Sequence, residues 1–120
     1  MDAVTRICYW NSERYEQEFD KALTTMILAE ELGELASAKE EVDQLDALID
    51  LVYIAIGGMW KLGLKPHQIC LAIGAVCTSN ESKAVERVAA NIKANINKGE
   101  NYVPPEAVLQ TILDARCKEA

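Results

Sequence analysis

Asp43-Gln44-Leu45-Asp46-Ala47-Leu48-Ile49-Asp50-Leu51-Val52-Tyr53-Ile54-Ala55-Ile56-Gly57-Gly58-Met59 is the stretch whose reading decides the fold. After Asp50 it is apolar on nearly every side, and it runs too long for a strand, so it reads as a helix at the centre of an assembly. Asp43 is its expected N-terminal cap. Lys61-Leu62-Gly63 ends it, with Gly63 suited to the left-handed residue that follows a helix.

Upstream, a helix is expected to begin after the cap candidates Asn11 or Ser12 and to run to about Glu40. Its apolar positions Leu23, Ile27, Leu28, Leu32 and Leu35 recur at three and four. Downstream, Pro66 suits the first position of a third helix carrying Ile69, Cys70, Ile73, Val76 and Cys77 and closing near Ser79-Asn80. Glu81 to Ile96 is helical in composition with a weaker stripe. Lys98 to Pro105 reads as a loop, and Pro105-Glu106 opens a short last helix through Val108, Leu109, Ile112 and Leu113. The expected fold is therefore all-α: one domain over residues 1–120, an antiparallel bundle of four to five helices with short connections. Such a bundle has too few elements to cover its apolar second helix from every direction, so a homodimer or dimer of dimers is expected.

The chain has 120 residues, and 12 Lys+Arg against 19 Asp+Glu give a formal charge of −7. Duplex nucleic acid and anionic membranes bind clustered Lys and Arg, so neither is an expected partner. No apolar run approaches the roughly 20 residues of a membrane span, and no export signal is evident, which makes the cytosol the expected compartment. Cys8, Cys70, Cys77 and Cys117 include no C-x-x-C pair, and His67 is the single histidine, which excludes a zinc-finger spacing. The four thiols read as small buried hydrophobes, Trp60 as a core residue and His67 as a surface one.

The carboxylates carry the chemistry. At about 100° per residue, Glu30 and Glu34 lie about 40° apart and Glu31 about 60° from Glu34, so the three share one side of the first helix. Asp43, Asp46 and Asp50 follow at i, i+3 and i+7, in a stripe continued by Tyr53 and Gly57. Asp is a poor helix former, and Asp50 lies two turns inside an apolar helix with no Lys or Arg beside it. If the two helices pack antiparallel, both acidic stripes face one cleft, and a divalent cation relieves the repulsion. Oxygen ligands without His or Cys favour Mg²⁺, with Mn²⁺ as the alternative, and a carboxylate-held Mg²⁺ completes its shell with water and substrate phosphates. Hydrolysis at phosphorus is the chemistry that follows.

Leu28-Ala29-Glu30-Glu31-Leu32-Gly33-Glu34-Leu35, then Asp50-Leu51-Val52-Tyr53, resembles the all-α nucleoside triphosphate pyrophosphohydrolases, the MazG-like group related to dimeric dUTPases and phosphoribosyl-ATP pyrophosphatases. The family pattern E-x-x-E, spacer, E-x-x-D falls on Glu31, Glu34, position 47 and Asp50. Position 47 is Ala here, and Asp46 or Asp43 stands close enough to serve the same metal. Ser79-Asn80-Glu81-Ser82-Lys83 resembles the family's S-N-x-S-K segment, and Lys98-Gly99-Glu100-Asn101-Tyr102-Val103-Pro104-Pro105 its K-G-x-x-Y-x-P-P loop.

The resemblance implies Mg²⁺-dependent cleavage of a (deoxy)nucleoside triphosphate between the α- and β-phosphorus, releasing monophosphate and pyrophosphate. Under it, Glu30, Glu31, Glu34, Asp46 and Asp50 are the metal ligands, and one of Glu31, Glu34 or Asp46 orients water. Lys83 and Lys98 answer the remaining phosphate charge, and Asn80 bonds sugar or phosphate. Trp10, Trp60 and Tyr102 are candidates for stacking on the base, with Trp10 placed ahead of the first helix. A catalytically silent nucleotide- or partner-binding module is the competing reading, and Ala47 is its motive.

Overall fold

The computed structural model describes residues 1–83 and 99–116. Among them are five helices and no strand: α1 (Ala3–Ser12), α2 (Lys21–Ser37), α3 (Glu41–Lys61), α4 (Pro66–Glu81) and α5 (Glu106–Ala115). The all-α expectation is met. The chain divides into two compact units, Met1–Ile69 and Cys70–Ala120.

In the first unit, the single helix expected from Asn11 or Ser12 to Glu40 is instead two. Asp2 caps α1 by accepting the Thr5 N–H at 2.8 Å, and these hydrogen bonds hold its carboxyl below the ordinary range. Asp20 caps α2 in the same way, accepting the Leu23 N–H at 3.0 Å. Two cap residues, each three before its bonded amide, thus split a run whose apolar spacing alone looks continuous. Trp10 accordingly lies inside α1 rather than ahead of a helix.

The order of neighbours along α2 and α3 shows that they run antiparallel. Thr24 faces Gly58, Glu31 and Glu34 meet Asp50, and the Ala38 carbonyl accepts from Gln44 Nε2 at 3.3 Å. α3 starts at Glu41, ahead of the expected cap Asp43, which sits exposed in its first turn. It ends as expected, with Gly63 at φ 101° and its N–H donating to the Trp60 carbonyl at 2.9 Å. α1 docks on α3 through Ile7, Cys8 and Asn11, all buried. Gly57 permits that approach, since a Cβ there would stand 3.0 Å from Asn11 Nδ2. Trp60, expected in the core, is only half-buried, and its carbonyl accepts from Gln17 Nε2 at 2.7 Å.

No residue of α2 is fully buried within the chain. On α3, Leu45, Leu48, Ile49 and Val52 make an i, i+3, i+4, i+7 stripe in which each residue is about half exposed.

α4 opens with Pro66, as expected, and Gln68 Oε1 accepts the Lys65 N–H at 2.9 Å, half of a capping box. Cys70 and Cys77 are exposed, which corrects the expectation of buried thiols. They share the outward side of α4, while Cys8 is buried in α1. In the second unit the Ser82 hydroxyl donates to the Ser79 carbonyl at 2.6 Å and accepts the Val103 N–H at 2.7 Å. The two downstream segments singled out in the sequence are therefore pinned to each other by one serine. Cys117, Lys98 and the expected helical stretch from 84 to 96 lie outside the described residues.

Candidate active site

Antiparallel packing places the middle of α2 against the first half of α3, and three carboxylates converge there. One oxygen each from Glu31, Glu34 and Asp50 lies within 4.8 Å of the other two. Glu31 and Asp50 are half-buried, Glu34 exposed. Glu31 Oε2 is buried with no hydrogen-bond partner among the described residues. Its carboxyl is pushed above the ordinary range by burial, by a hydrogen bond shared with Glu34, and by the charges of Glu34, Asp50 and Glu30. A carboxylate in this setting needs either a proton or a cation. The donor set, all oxygen and all anionic, suits a hard divalent ion, so the residues present fit Mg²⁺ or Mn²⁺.

Glu30 and Asp46 stand apart from this triad. Glu30 is exposed on α2, one residue before Glu31, and acts on it only through its charge. Asp46 is exposed and lines a groove with Glu34, Lys39, Glu40 and Asp43 at the C-terminal end of α2. Ala47 is 3% exposed, packed in the helix contact beside that groove.

In the other direction along the same two helices, about one to two turns from the triad, a pocket of about 200 Å³ opens between α1, α2 and α3. Trp10, Tyr15 and Tyr53 form its aromatic wall. The Trp10 and Tyr53 rings meet edge to face at 5.6 Å, and Trp10 and Tyr15 lie 6.0 Å apart. Arg14 sits 4.5 Å over Trp10, and Lys61 4.3 Å over Tyr15. Glu18, Asp20, Asn11 and Thr24 add polar lining.

Of these residues, sequence reading picked out Trp10 and noted Tyr53 as a continuation of the Asp50 stripe. It missed Tyr15, and it took Asn11 for a helix cap. The available signal was Asp2-x-x-Thr5 followed by Ile7, Cys8 and Asn11 at helical spacing, which marks α1 and turns Asn11 inward. In the second unit, Lys83 Nζ donates to Asn80 Oδ1 at 2.8 Å, Asn80 is exposed and Tyr102 is half-buried.

The α2–α3 pair thus presents a carboxylate triad beside an aromatic pocket. Residues 8–75 match the family model described as phosphoribosyl-ATP pyrophosphohydrolase. The chain belongs to that family, within the MazG-like all-α NTP pyrophosphatase superfamily. The matched span takes in the triad and all of the pocket lining. Membership supports pyrophosphohydrolase activity on a nucleotide-like substrate. No curated protein and no solved structure matches the chain. No single helix among the described residues is long and apolar enough to cross a membrane.

Proposed function

We propose that the protein hydrolyses a (deoxy)nucleoside triphosphate between the α- and β-phosphorus, with Mg²⁺ held by Glu31, Glu34 and Asp50. The observation that carries this reading is the triad itself, with Glu31 Oε2 buried and unpartnered among the described residues beside two further carboxylate oxygens. A bound Mg²⁺ supplies charge neutralisation at the phosphate oxygens and acidifies water for attack at phosphorus. Asp50 anchors the set from α3, because its position two turns inside the helix leaves its carboxylate little freedom. Glu31 and Glu34 complete it from α2. Asp46, outside the triad but lining the same groove as Glu34, is proposed to orient water and take its proton. Trp10, Tyr15 and Tyr53 offer ring faces to a base. The exposed apolar stripe on α3 and the absence of a fully buried residue on α2 favour a homodimer or dimer of dimers.

The test is pyrophosphate release from a panel of nucleoside triphosphates with Mg²⁺. The wild type should release pyrophosphate and Asp50→Asn should fall by on the order of a thousandfold, with its helical circular dichroism unchanged. Full activity in Asp50→Asn refutes the assignment.

A further inference from the structure

The aromatic pocket contains a polar group that stacking does not use. Asn11 is 4% exposed and lines the pocket from α1. Its Nδ2 donates to the Ile7 carbonyl at 2.8 Å, and this bond settles the orientation of the amide, since the oxygen cannot donate to a carbonyl. The amide oxygen is therefore committed as an acceptor. Among the described residues Oδ1 receives no hydrogen bond. It is held against Gly57, where a Cβ would stand 3.1 Å away, so the oxygen cannot swing aside without crowding α3.

The rest of the polar lining is mixed: Glu18 and Asp20 are acceptors, the Thr24 hydroxyl both donates and accepts, and Lys61 lies over the face of Tyr15. The carboxylates of the lining disfavour a phosphate chain here, and the cations Arg14 and Lys61 already lie over ring faces, which leaves the pocket to the neutral end of a nucleotide. Phosphates then run toward the triad, one to two turns along α2 and α3.

We infer that Asn11 is a specificity-determining residue: its fixed Oδ1 reads the base edge opposite the glycosidic bond and selects bases with an amino group there, adenine and cytosine, over their oxo counterparts, hypoxanthine and uracil. The inference rests on the proposed nucleotide reading. An exocyclic amine meets the committed acceptor with a donor. A carbonyl in the same place sets two acceptors together and leaves both desolvated and unpaired, the situation in which polar sites discriminate most strongly. Each pair of bases differs at that edge alone among exocyclic groups, while ring size and stacking area stay nearly constant.

The experiment compares kcat/KM with Mg²⁺ for dATP against dITP and for dCTP against dUTP. In parallel, the free nucleosides deoxyadenosine, deoxyinosine, deoxycytidine and deoxyuridine are titrated while the Trp10 ring and Asn11 side-chain NMR signals are followed. The amino member of each pair is expected to win by on the order of tenfold in both measurements. Asn11→Ala should bring both ratios close to one whatever the change in its overall rate, and if that variant does not fold, the wild-type ratios decide. Hydrolysis without amino-over-oxo preference overturns the inference and leaves the proposed function standing. Nucleosides that bind in the expected order to a protein that hydrolyses no triphosphate overturn the proposed function and leave the base readout standing. Equal nucleoside binding within each pair, or discrimination unchanged in a folded Asn11→Ala, overturns the inference.

Discussion

Gly57→Ala tests the close approach of α1 to α3 on which the pocket depends, and Gly33→Ala is its control. Both glycines lie inside helices, where alanine is favoured by about 1 kcal/mol. At Gly33 a new methyl group meets nothing within 4 Å, so the full gain is expected: about 1 kcal/mol, or a rise of about 4 °C in Tm. At Gly57 the methyl would stand 3.0 Å from Asn11 Nδ2, 3.1 Å from Oδ1 and 3.3 Å from Cγ. Asn11 is buried and tied to Ile7, so it has to move by a few tenths of an ångström and strain that bond. Overpacking of this kind costs about 1–3 kcal/mol, which cancels or exceeds the helix gain. The two variants should therefore differ by about 1–3 kcal/mol in urea unfolding, with Gly57→Ala the weaker. Adding Asn11→Ala to Gly57→Ala should cost at least about 0.5 kcal/mol less than adding it to the wild type, because the clash is removed with the side chain. A Gly57→Ala protein as stable as Gly33→Ala, with no coupling to position 11, would refute the packing described for α1.

Three further expectations follow from the site and the surface. Because burial and the neighbouring carboxylates hold the Glu31 carboxyl above the ordinary glutamate range, the metal-free fold should be steadied at pH below that range and lose this contribution as pH rises through the raised value. Denaturation in EDTA across that window should show the slope, Glu31→Gln should flatten it, and an unchanged slope in the variant would count against the cause given. Asp46→Ala should lower kcat by about tenfold to a hundredfold and leave the Mg²⁺ concentration for half-activity nearly unmoved, as a water-orienting group outside the triad requires. A large rise in the Mg²⁺ requirement would instead make Asp46 a ligand. Leu48→Glu, in the middle of the exposed α3 stripe, should shift sedimentation toward the monomer, and an unaltered assembly would place the interface elsewhere.

The residues that converge on the proposed metal were readable before any fold was known, because carboxylates in an apolar helix, such as Asp50, violate helix propensity and burial preferences at once. The C-terminal stop at Gly63 and the start at Pro66 were readable for the same local reason, since each depends on one residue's backbone geometry. The division of the first long helix was less visible. Periodicity registers the apolar positions and is silent on caps, and Asp2 and Asp20 begin helices by bonding amides only three residues on.

Which carboxylates meet was not local information at all. Glu30, Glu31 and Glu34 share one side of α2 in any angular count, and only the packing of α2 on α3 turns Glu31 and Glu34 toward Asp50 and leaves Glu30 outside. Asp46 differs from Asp50 by a single helical turn, and that turn carries it out of the triad into the neighbouring groove. The outward face of Cys70 and Cys77 likewise follows from which side of α4 finds no cover among the described residues, a choice that apolar character cannot encode. Helix formation is written in contacts three and four residues apart, and the sequence determines it directly. The triad, the close approach of Asn11 to Gly57 and the pocket depend on contacts between residues 16 to 46 positions apart, and those exist only once α1 and α2 have docked on α3.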